Sequence, residues 1–358
     1  MPHPTPLLLG LELSGTGAHP ASWRRADSRA EDLFDARYWV DALRAAEDAG
    51  IDLAFLPDSG TLQSAGALGR LDAVAVAARA AAATRRIGLI PQASVTHSEP
   101  FHLSKAIASL DFAATGRAGW EVSVAVGEAS LYGRKPEQDD RSRWQEADDA
   151  VEVVARLWDS WEDDAEIRDA ATGRFIDRER LHYIDFAGEH FAVNGPSITP
   201  RPPQGQPPVA VRAADPHSTR VAVQRADLIR IAAPDLATAA ATRAELRSAI
   251  AAAGRDPNRV RVLLDIDIHL ADTADTAALE VAQLEDWIAT PAPATVFHIG
   301  TAAGLRDILR RIETDCAADG VVLRPLALAA ALPHLQALTP TLRERLGLPR
   351  PASRYAHA

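Results

Sequence analysis

Short apolar runs alternate with amphipathic stretches along almost the whole chain. The apolar runs have the length of buried β-strands and show little alternation of apolar and polar residues, which is typical of strands covered on both faces. Between them, apolar residues recur at helical spacing. The predicted strands are Leu7–Leu13, Ile51–Leu56, Ile87–Ile90, Trp120–Ala125, Val209–Arg212, Asp227–Ala232, Val260–Leu270, Ala294–Ile299 and Gly320–Arg324. The predicted helices run from about 35 to 49, 71 to 83, 101 to 110, 140 to 161, 217 to 225, 235 to 253, 276 to 288 and 302 to 318.

About eight strand-and-helix units in 358 residues fit a TIM barrel better than an open doubly wound sheet, which has six or fewer strands in most cases. The rhythm breaks over residues 163–206, which are charged and then rich in Gly and Pro. We interpret this segment as a loop-rich insertion crossing the barrel mouth, at the carboxyl ends of the strands. The predicted organisation is one α/β barrel domain, 1–348, followed by a tail, 349–358.

The charge balance argues against some classes of partner. There are 38 basic and 49 acidic residues, and Lys and Arg form no cluster larger than a pair, so neither nucleic acid nor an anionic membrane surface is an expected partner. No apolar run is long enough to span a membrane, and no charged region precedes Leu7–Leu9 as in a signal peptide. The single cysteine, Cys316, is expected on the buried face of a helix. We therefore expect a cytoplasmic protein.

Polar side chains follow several predicted strands, where parallel α/β folds bind ligands. Residues Gln92–Pro100 form a polar loop after the third strand, and Asp58 follows the second. Asp58 is either a ligand-binding carboxylate or a turn aspartate that accepts hydrogen bonds from its own backbone. The Gly-rich segment Ser14–Gly17 after the first strand lacks the spacing of a phosphate-binding loop and is interpreted as a flexible lid.

One strand carries charged residues on a single face. Asp265, Asp267 and His269 alternate with apolar residues, so their side chains project ~6–7 Å apart. Two carboxylates and an imidazole at this spacing suggest a metal-dependent barrel hydrolase as an alternative function.

Several motifs occur in an order that resembles the bacterial luciferase-like flavin monooxygenases, in the branch of the nitrilotriacetate and dibenzothiophene-sulfone enzymes. The motifs are Thr96–Leu103, Thr115–Trp120, Leu157–Glu162, Gly195–Ser197, Pro203–Gly205 and Thr341–Pro351. The resemblance covers most of the chain. It implies a luciferase-like TIM barrel that uses reduced FMN, supplied by a separate flavin reductase, to activate dioxygen and oxygenate a small-molecule substrate. It also suggests a homodimer.

The resemblance also assigns cofactor-binding positions. Asp58 matches the flavin-contacting aspartate, and Ser94 and Thr96 match polar positions beside the isoalloxazine ring. Other family positions are altered: an asparagine is Glu121, a helix-start tyrosine is Trp144, and a histidine is Asp140. The loop that should cradle the phosphate reads Arg212-Ala213-Ala214-Asp215-Pro216-His217. Its proline has no N–H to donate and Asp215 adds an anion, whereas Arg212 offers a guanidinium to the phosphate.

His97 is predicted to act catalytically on the substrate side of the flavin, because an imidazole can donate a hydrogen bond or carry a proton near neutral pH. The alternative is a solvated loop histidine. Besides the monooxygenase and the metal hydrolase, a non-catalytic flavin-binding relative fits the altered positions. The sequence leaves open the substrate, the reductase and the choice between FMN and a deazaflavin.

Overall fold

The chain folds into a closed parallel barrel with helices around it. The computed structural model describes residues 7–338. The strands are β1 (Leu8–Glu12), β2 (Leu53–Leu56), β3 (Gly88–Ser94), β4 (Trp120–Ser123), β5 (Phe186–Ala187), β6 (Ala192–Val193), β7 (Val209–Arg212), β8 (Leu228–Ile231), β9 (Arg261–Leu270), β10 (Val296–Gly300) and β11 (Gly320–Pro325). Eight of them pair in the order β1-β2-β3-β4-β7-β8-β9-β11, and β11 pairs with β1 to close the ring. The predicted TIM barrel is therefore confirmed.

Helices follow most of the barrel strands. They are α1 (Ala36–Asp48), α2 (Ala73–Ala81), α3 (Pro100–Ala113), α4 (Ala129–Tyr132), α5 (Asp140–Trp158), α6 (Pro216–Arg225), α7 (Leu236–Ala252), α8 (Ala274–Trp287), α9 (Ala302–Thr314) and α10 (Leu328–Leu335). Asp35, Asp72 and Asp235 start their helices by accepting a hydrogen bond from a first-turn amide. None of these helices is long and apolar enough to cross a membrane.

The strand predicted at Ala294–Ile299 exists but is not part of the barrel wall. Its counterpart, β10, pairs with residues 266–270 of β9, while β8 pairs with residues 261–264 of the same strand. The long β9 thus extends past the end of β8, and β10 occupies the free edge above it. An edge strand and a barrel strand share the same apolar pattern, so the sequence did not separate them.

The segment 163–206 packs beside α5, and its crossing of the barrel mouth stays a prediction. Near its ends, Trp161 Nε1 donates to the carbonyl of Ser197, and Gln204 donates to Asp111. Its short hairpin, β5–β6, packs beside α5, where Arg156 lies over the Phe186 ring. The hairpin turn reaches the loop that carries His97.

Two local predictions need correction. Cys316 is exposed with φ of +51°, because α9 ends at Thr314 and the thiol lies beyond the buried face. The segment Ser14–Gly17 is anchored: Ala18 N donates to the Pro325 carbonyl and Leu328 N to the Thr16 carbonyl, both at 2.8 Å. A Cβ on Gly17 would lie 2.2 Å from the Leu326 carbonyl, so only glycine permits this approach. The segment is therefore a fixed wall of the mouth.

Residues 339–358, which include part of the predicted domain, the C-terminal tail and the motif Thr341–Pro351, lie outside the described residues.

Candidate active site

The barrel interior has an apolar layer with a charged layer above it. Phe55, Ile90, Leu228, Leu263 and Val322 fill the lower layer. The charged layer lies nearer the carboxyl ends of the strands and is centred on Arg230, which is buried and lies 4.7 Å above the Phe55 ring. An arginine in this position requires anionic partners, because an unpaired buried charge is strongly unfavourable.

Three carboxylates surround Arg230. Its guanidinium donates to Glu12 Oε2 at 2.6 Å, to Glu121 Oε1 at 2.9 Å and to Asp265 Oδ1 at 3.0 Å. Although burial disfavours ionisation of Glu12, Arg230 and two further arginines hold the pKa of this carboxyl well below its usual range. Burial raises the pKa of Glu121, and Arg230 offsets only part of that shift. Burial alone would lower the pKa of Arg230, but the three carboxylates raise this pKa above its usual value.

Two more arginines connect this network to the mouth. Arg324 reaches Glu12 at 3.4 Å and Asp267 at 3.1 Å. Arg212, at the end of β7, lies 3.2 Å from Glu12 and 3.1 Å from Asp265, and 38% of its side chain is exposed. Arg212 is therefore the point at which the buried charges meet the open end of the barrel.

The metal-hydrolase alternative loses support from these pairings. Asp265 and Asp267 contact arginines, and His269 pairs with Glu280 at 2.7 Å. Within residues 7–338, no group of three or more His, Cys, Asp or Glu side chains is arranged to hold a metal ion.

The predicted flavin-ring positions lie on β2 and β3 at the mouth. Ser94 ends β3, and its Oγ is buried without a hydrogen-bond partner in the described part of the chain. Thr96 Oγ1 accepts from the amide of Ala125 at 2.8 Å, which leaves its own O–H free to donate. Asp58 accepts from Ser59 N at 2.7 Å and from Ala73 N at 2.9 Å, and burial raises its pKa. The carboxylate therefore makes the predicted turn contact, and it also binds the first turn of α2.

His97 lies on the same rim. Its ring stacks on Tyr132 with centroids 4.5 Å apart, and its Nδ1 is buried without a partner among residues 7–338. Glu128 is close to this pair: its Oε1 accepts from Gly60 N at 3.1 Å, while its buried Oε2 has no partner there either. Three polar atoms without partners among the described residues thus lie at the end of β3 and in the loops after β3 and β4, on Ser94, His97 and Glu128 respectively.

Three other predicted cofactor positions lie away from these atoms or deeper in the fold. Glu121 belongs to the charged layer below the mouth, since it pairs in register with Gln92, two residues before Ser94. Trp144 is 9% exposed and packs in the main core. Asp140 is 71% exposed and pairs with Arg143. Their roles toward a flavin stay predictions.

The backbone amides of the loop after β7 already donate hydrogen bonds to side chains of the same segment. Asp215 is the N-cap of α6 and accepts from the amides of His217 at 2.7 Å and Ser218 at 3.0 Å. The amides of Ala214 and Asp215 donate to Ser218 Oγ, both at 3.0 Å. A phosphate at this loop would compete with these bonds, so Arg212 is the group best placed to bind it.

A cavity of about 260 Å³ opens beside this rim, between the loops after β1 and β2. Its floor includes Glu12, Leu56 and Arg324. Sequence reasoning missed Glu12, Arg230, Glu128 and Arg324. The available signal for Arg230 was a charged residue inside the apolar run Leu228–Ile231, the same feature that singled out Asp265.

Known proteins resemble this chain over most of its length. A family model described as "Luciferase-like monooxygenase" matches residues 16–320. N-acetyl-S-(2-succino)cysteine monooxygenase of Bacillus subtilis (strain 168) is 35% identical over 285 residues, covering 78% of this chain and 65% of that protein. Nitrilotriacetate monooxygenase component A of Aminobacter aminovorans is 33% identical over 287 residues, covering 75% and 63%. This chain therefore spans somewhat under two thirds of the length of these two relatives.

A solved structure shares the fold of this chain. The structure of EDTA monooxygenase from Chelativorans sp. BNC1 superposes with a TM-score of 0.83 at 24% identity, covering 96% of this chain and 99% of that one. These matches confirm the resemblance drawn from the motifs: the chain belongs to the luciferase-like monooxygenase family.

Proposed function

We propose that this protein is an FMN-dependent monooxygenase that uses reduced flavin and dioxygen to oxygenate a small organic substrate. Membership of the family supports the reaction class. The observation that carries the proposal is the buried Ser94 Oγ at the end of β3, which has no partner within residues 7–338, together with Thr96 two residues later, whose O–H donates to no group there. Two unused donors at the mouth suit the ring edge of a flavin, which offers hydrogen-bond acceptors.

The residues of the chain would divide the work as follows. Ser94 and Thr96 orient the ring, and Arg212 pairs with the phosphate. Bound reduced flavin supplies the electrons that activate dioxygen. His97 holds or moves a proton at Nδ1 on the substrate side, with its ring fixed by Tyr132. The loops around the mouth exclude water from the site.

The proposal includes partners and location. A separate flavin reductase delivers the reduced flavin, the protein works in the cytoplasm, and it forms a homodimer. Light scattering coupled to gel filtration measures the homodimer directly, and a monomer mass would remove that part of the proposal.

The test supplies FMN, NADH and a flavin reductase under air. We expect the protein to change the rate of NADH consumption or the yield of hydrogen peroxide, because it withdraws reduced flavin from the reaction in solution. Ser94→Ala should diminish this change, and Ser98→Ala, at an exposed position of the same loop, should preserve it. Binding of FMN, measured at equilibrium by calorimetry, is compared with binding of a deazaflavin.

Identical kinetics with and without the protein, over a broad substrate panel, would contradict the proposal. If the protein nevertheless binds FMN in the calorimeter, it is a non-catalytic flavin-binding relative.

A further inference from the structure

The cavity beside the rim is suited to a small organic molecule with an apolar skeleton. Its walls include the apolar side chains Leu13, Leu33, Trp39, Leu71 and Val76. Ligand cavities in proteins combine such walls with a few polar groups that fix orientation. The polar groups of this cavity therefore decide which molecules it accepts.

Most of those polar groups are already engaged. Thr16 and Ser22 hydrogen-bond each other at 2.7 Å, and Gln63 accepts from the amide of Gly69. His19 Nδ1 accepts from Ala21 N, so its Nε2 carries the proton shared with Glu285. Arg324 is paired with Glu12 and Asp267. None of these groups offers a free charge to a ligand.

Arg70 differs from the others. It lines the cavity, is partly buried, and makes no hydrogen bond or ion pair with the residues that the structure describes. Its charge acts to lower the pKa of Asp58, but that carboxylate is held by the amides of Ser59 and Ala73 and forms no ion pair with Arg70 within residues 7–338. A guanidinium that has lost part of its hydration and has no partner gains most from a planar anion.

We propose that Arg70 binds a carboxylate group of the substrate, while the apolar walls hold the carbon skeleton. This inference rests on the proposed function, under which the bound acid is the substrate. The substrate class is then a small, partly apolar carboxylic acid. The cavity floor contains Leu56 and Pro57, which directly precede Asp58, so the bound molecule lies next to the predicted flavin position.

The test measures binding of a matched pair, 3-phenylpropionate and 3-phenylpropionamide, by calorimetry, with and without FMN. The two ligands share a skeleton and differ in charge. We expect the wild type to bind the acid about tenfold more tightly than the amide, the range of a charge-assisted hydrogen bond. Arg70→Met should abolish this preference and Arg70→Lys should keep part of it. Arg79→Met, at an exposed position of α2, is the control and should leave the preference unchanged.

Equal affinity for acid and amide, no detectable binding of the acid at millimolar concentration, or a preference that survives Arg70→Met would overturn the proposal. The readout does not depend on turnover. A protein that fails to alter flavin oxidation but keeps the Arg70-dependent preference would refute the monooxygenase proposal and leave the carboxylate site standing.

Discussion

Replacing Arg230 by methionine tests the role of the charged layer in the barrel. Methionine keeps much of the side-chain length over the Phe55 ring but removes the positive charge. Glu12 would still contact Arg212 and Arg324, and Asp265 would still contact Arg212. Glu121 would lose the only side chain with which it forms a hydrogen bond or ion pair among residues 7–338.

The size of the effect follows from that difference. Breaking a buried ion pair by removing one partner costs about 3–5 kcal/mol, because the other charge is left uncompensated. Two of the three carboxylates keep a partner, so we expect a loss in the lower part of this range, about 3 kcal/mol.

The loss of stability should depend on pH. Burial already raises the pKa of Glu121, and removal of Arg230 raises it further. When the pKa of a carboxyl is higher in the folded than in the unfolded state, protonation of that carboxyl stabilises the folded protein. This stabilisation is complete below the unfolded pKa and is lost as pH rises through the folded pKa.

Urea unfolding from pH 5 to pH 8 gives the free energies of unfolding. The variant should be closer to wild type at pH 5 than at pH 8. Arg201→Met is the control: its partners Asp159 and Asp163 are exposed, so it should cost less than about 1 kcal/mol. The double variant Arg230→Met, Glu121→Met should recover much of the loss, since it leaves no lone charge. The reasoning fails if Arg230→Met costs no more than Arg201→Met, or if its cost is the same at both pH values.

Two further predictions concern the rim. Asp215→Ser should tighten FMN binding by about fivefold to a hundredfold, since unit charges ~5 Å apart at a dielectric of 20–80 repel by about 1–3 kcal/mol, and serine still caps α6. Calorimetry should show a larger gain at low salt than at high salt, and Arg212→Ala should weaken binding. An unchanged affinity for Asp215→Ser would mean that the phosphate binds elsewhere. His97→Phe keeps the stacking on Tyr132 but removes Nδ1, so turnover should fall and its pH profile should change while the thermal midpoint stays near that of wild type; an unaltered profile would assign His97 to packing.

The barrel and most of its elements were predictable because their signals are local. Asp35, Asp72 and Asp235 precede helical patterns and act as N-caps in the structure. The apolar runs became parallel strands with covered faces. Errors occurred where the pattern was ambiguous: an edge strand at 296–300 has the same composition as a barrel strand, and Cys316 continues a helical periodicity beyond the end of the helix.

The charged layer was not predictable for a different reason. Arg230 and its partner Glu12 are 218 residues apart, and each is a single charged residue in a short apolar run. A run of four or five residues is too short to define which face points into the barrel. Asp265 is distinguishable in the sequence because β9 is long enough to display alternation, which suggests a metal ion as one alternative partner, whereas the structure provides Arg212 and Arg230.

The loop after β7 links the altered sequence to the way a flavin would be held. Asp215 occupies the amides of His217 and Ser218, and Ser218 occupies those of Ala214 and Asp215, so the helix start that could bind phosphate is closed by its own side chains. Among residues 7–338, the donors available to a cofactor include Ser94 and Thr96, at the end of β3 two strands away, and Arg212, whose charge is shared with Glu12 and Asp265. A cofactor held mainly at its ring and by one shared arginine would bind weakly and exchange quickly. In the proposed function, reduced flavin arrives from a separate reductase and leaves after oxidation, so weak binding is compatible with turnover. The affinity for FMN therefore distinguishes a site that exchanges flavin from one that no longer binds it.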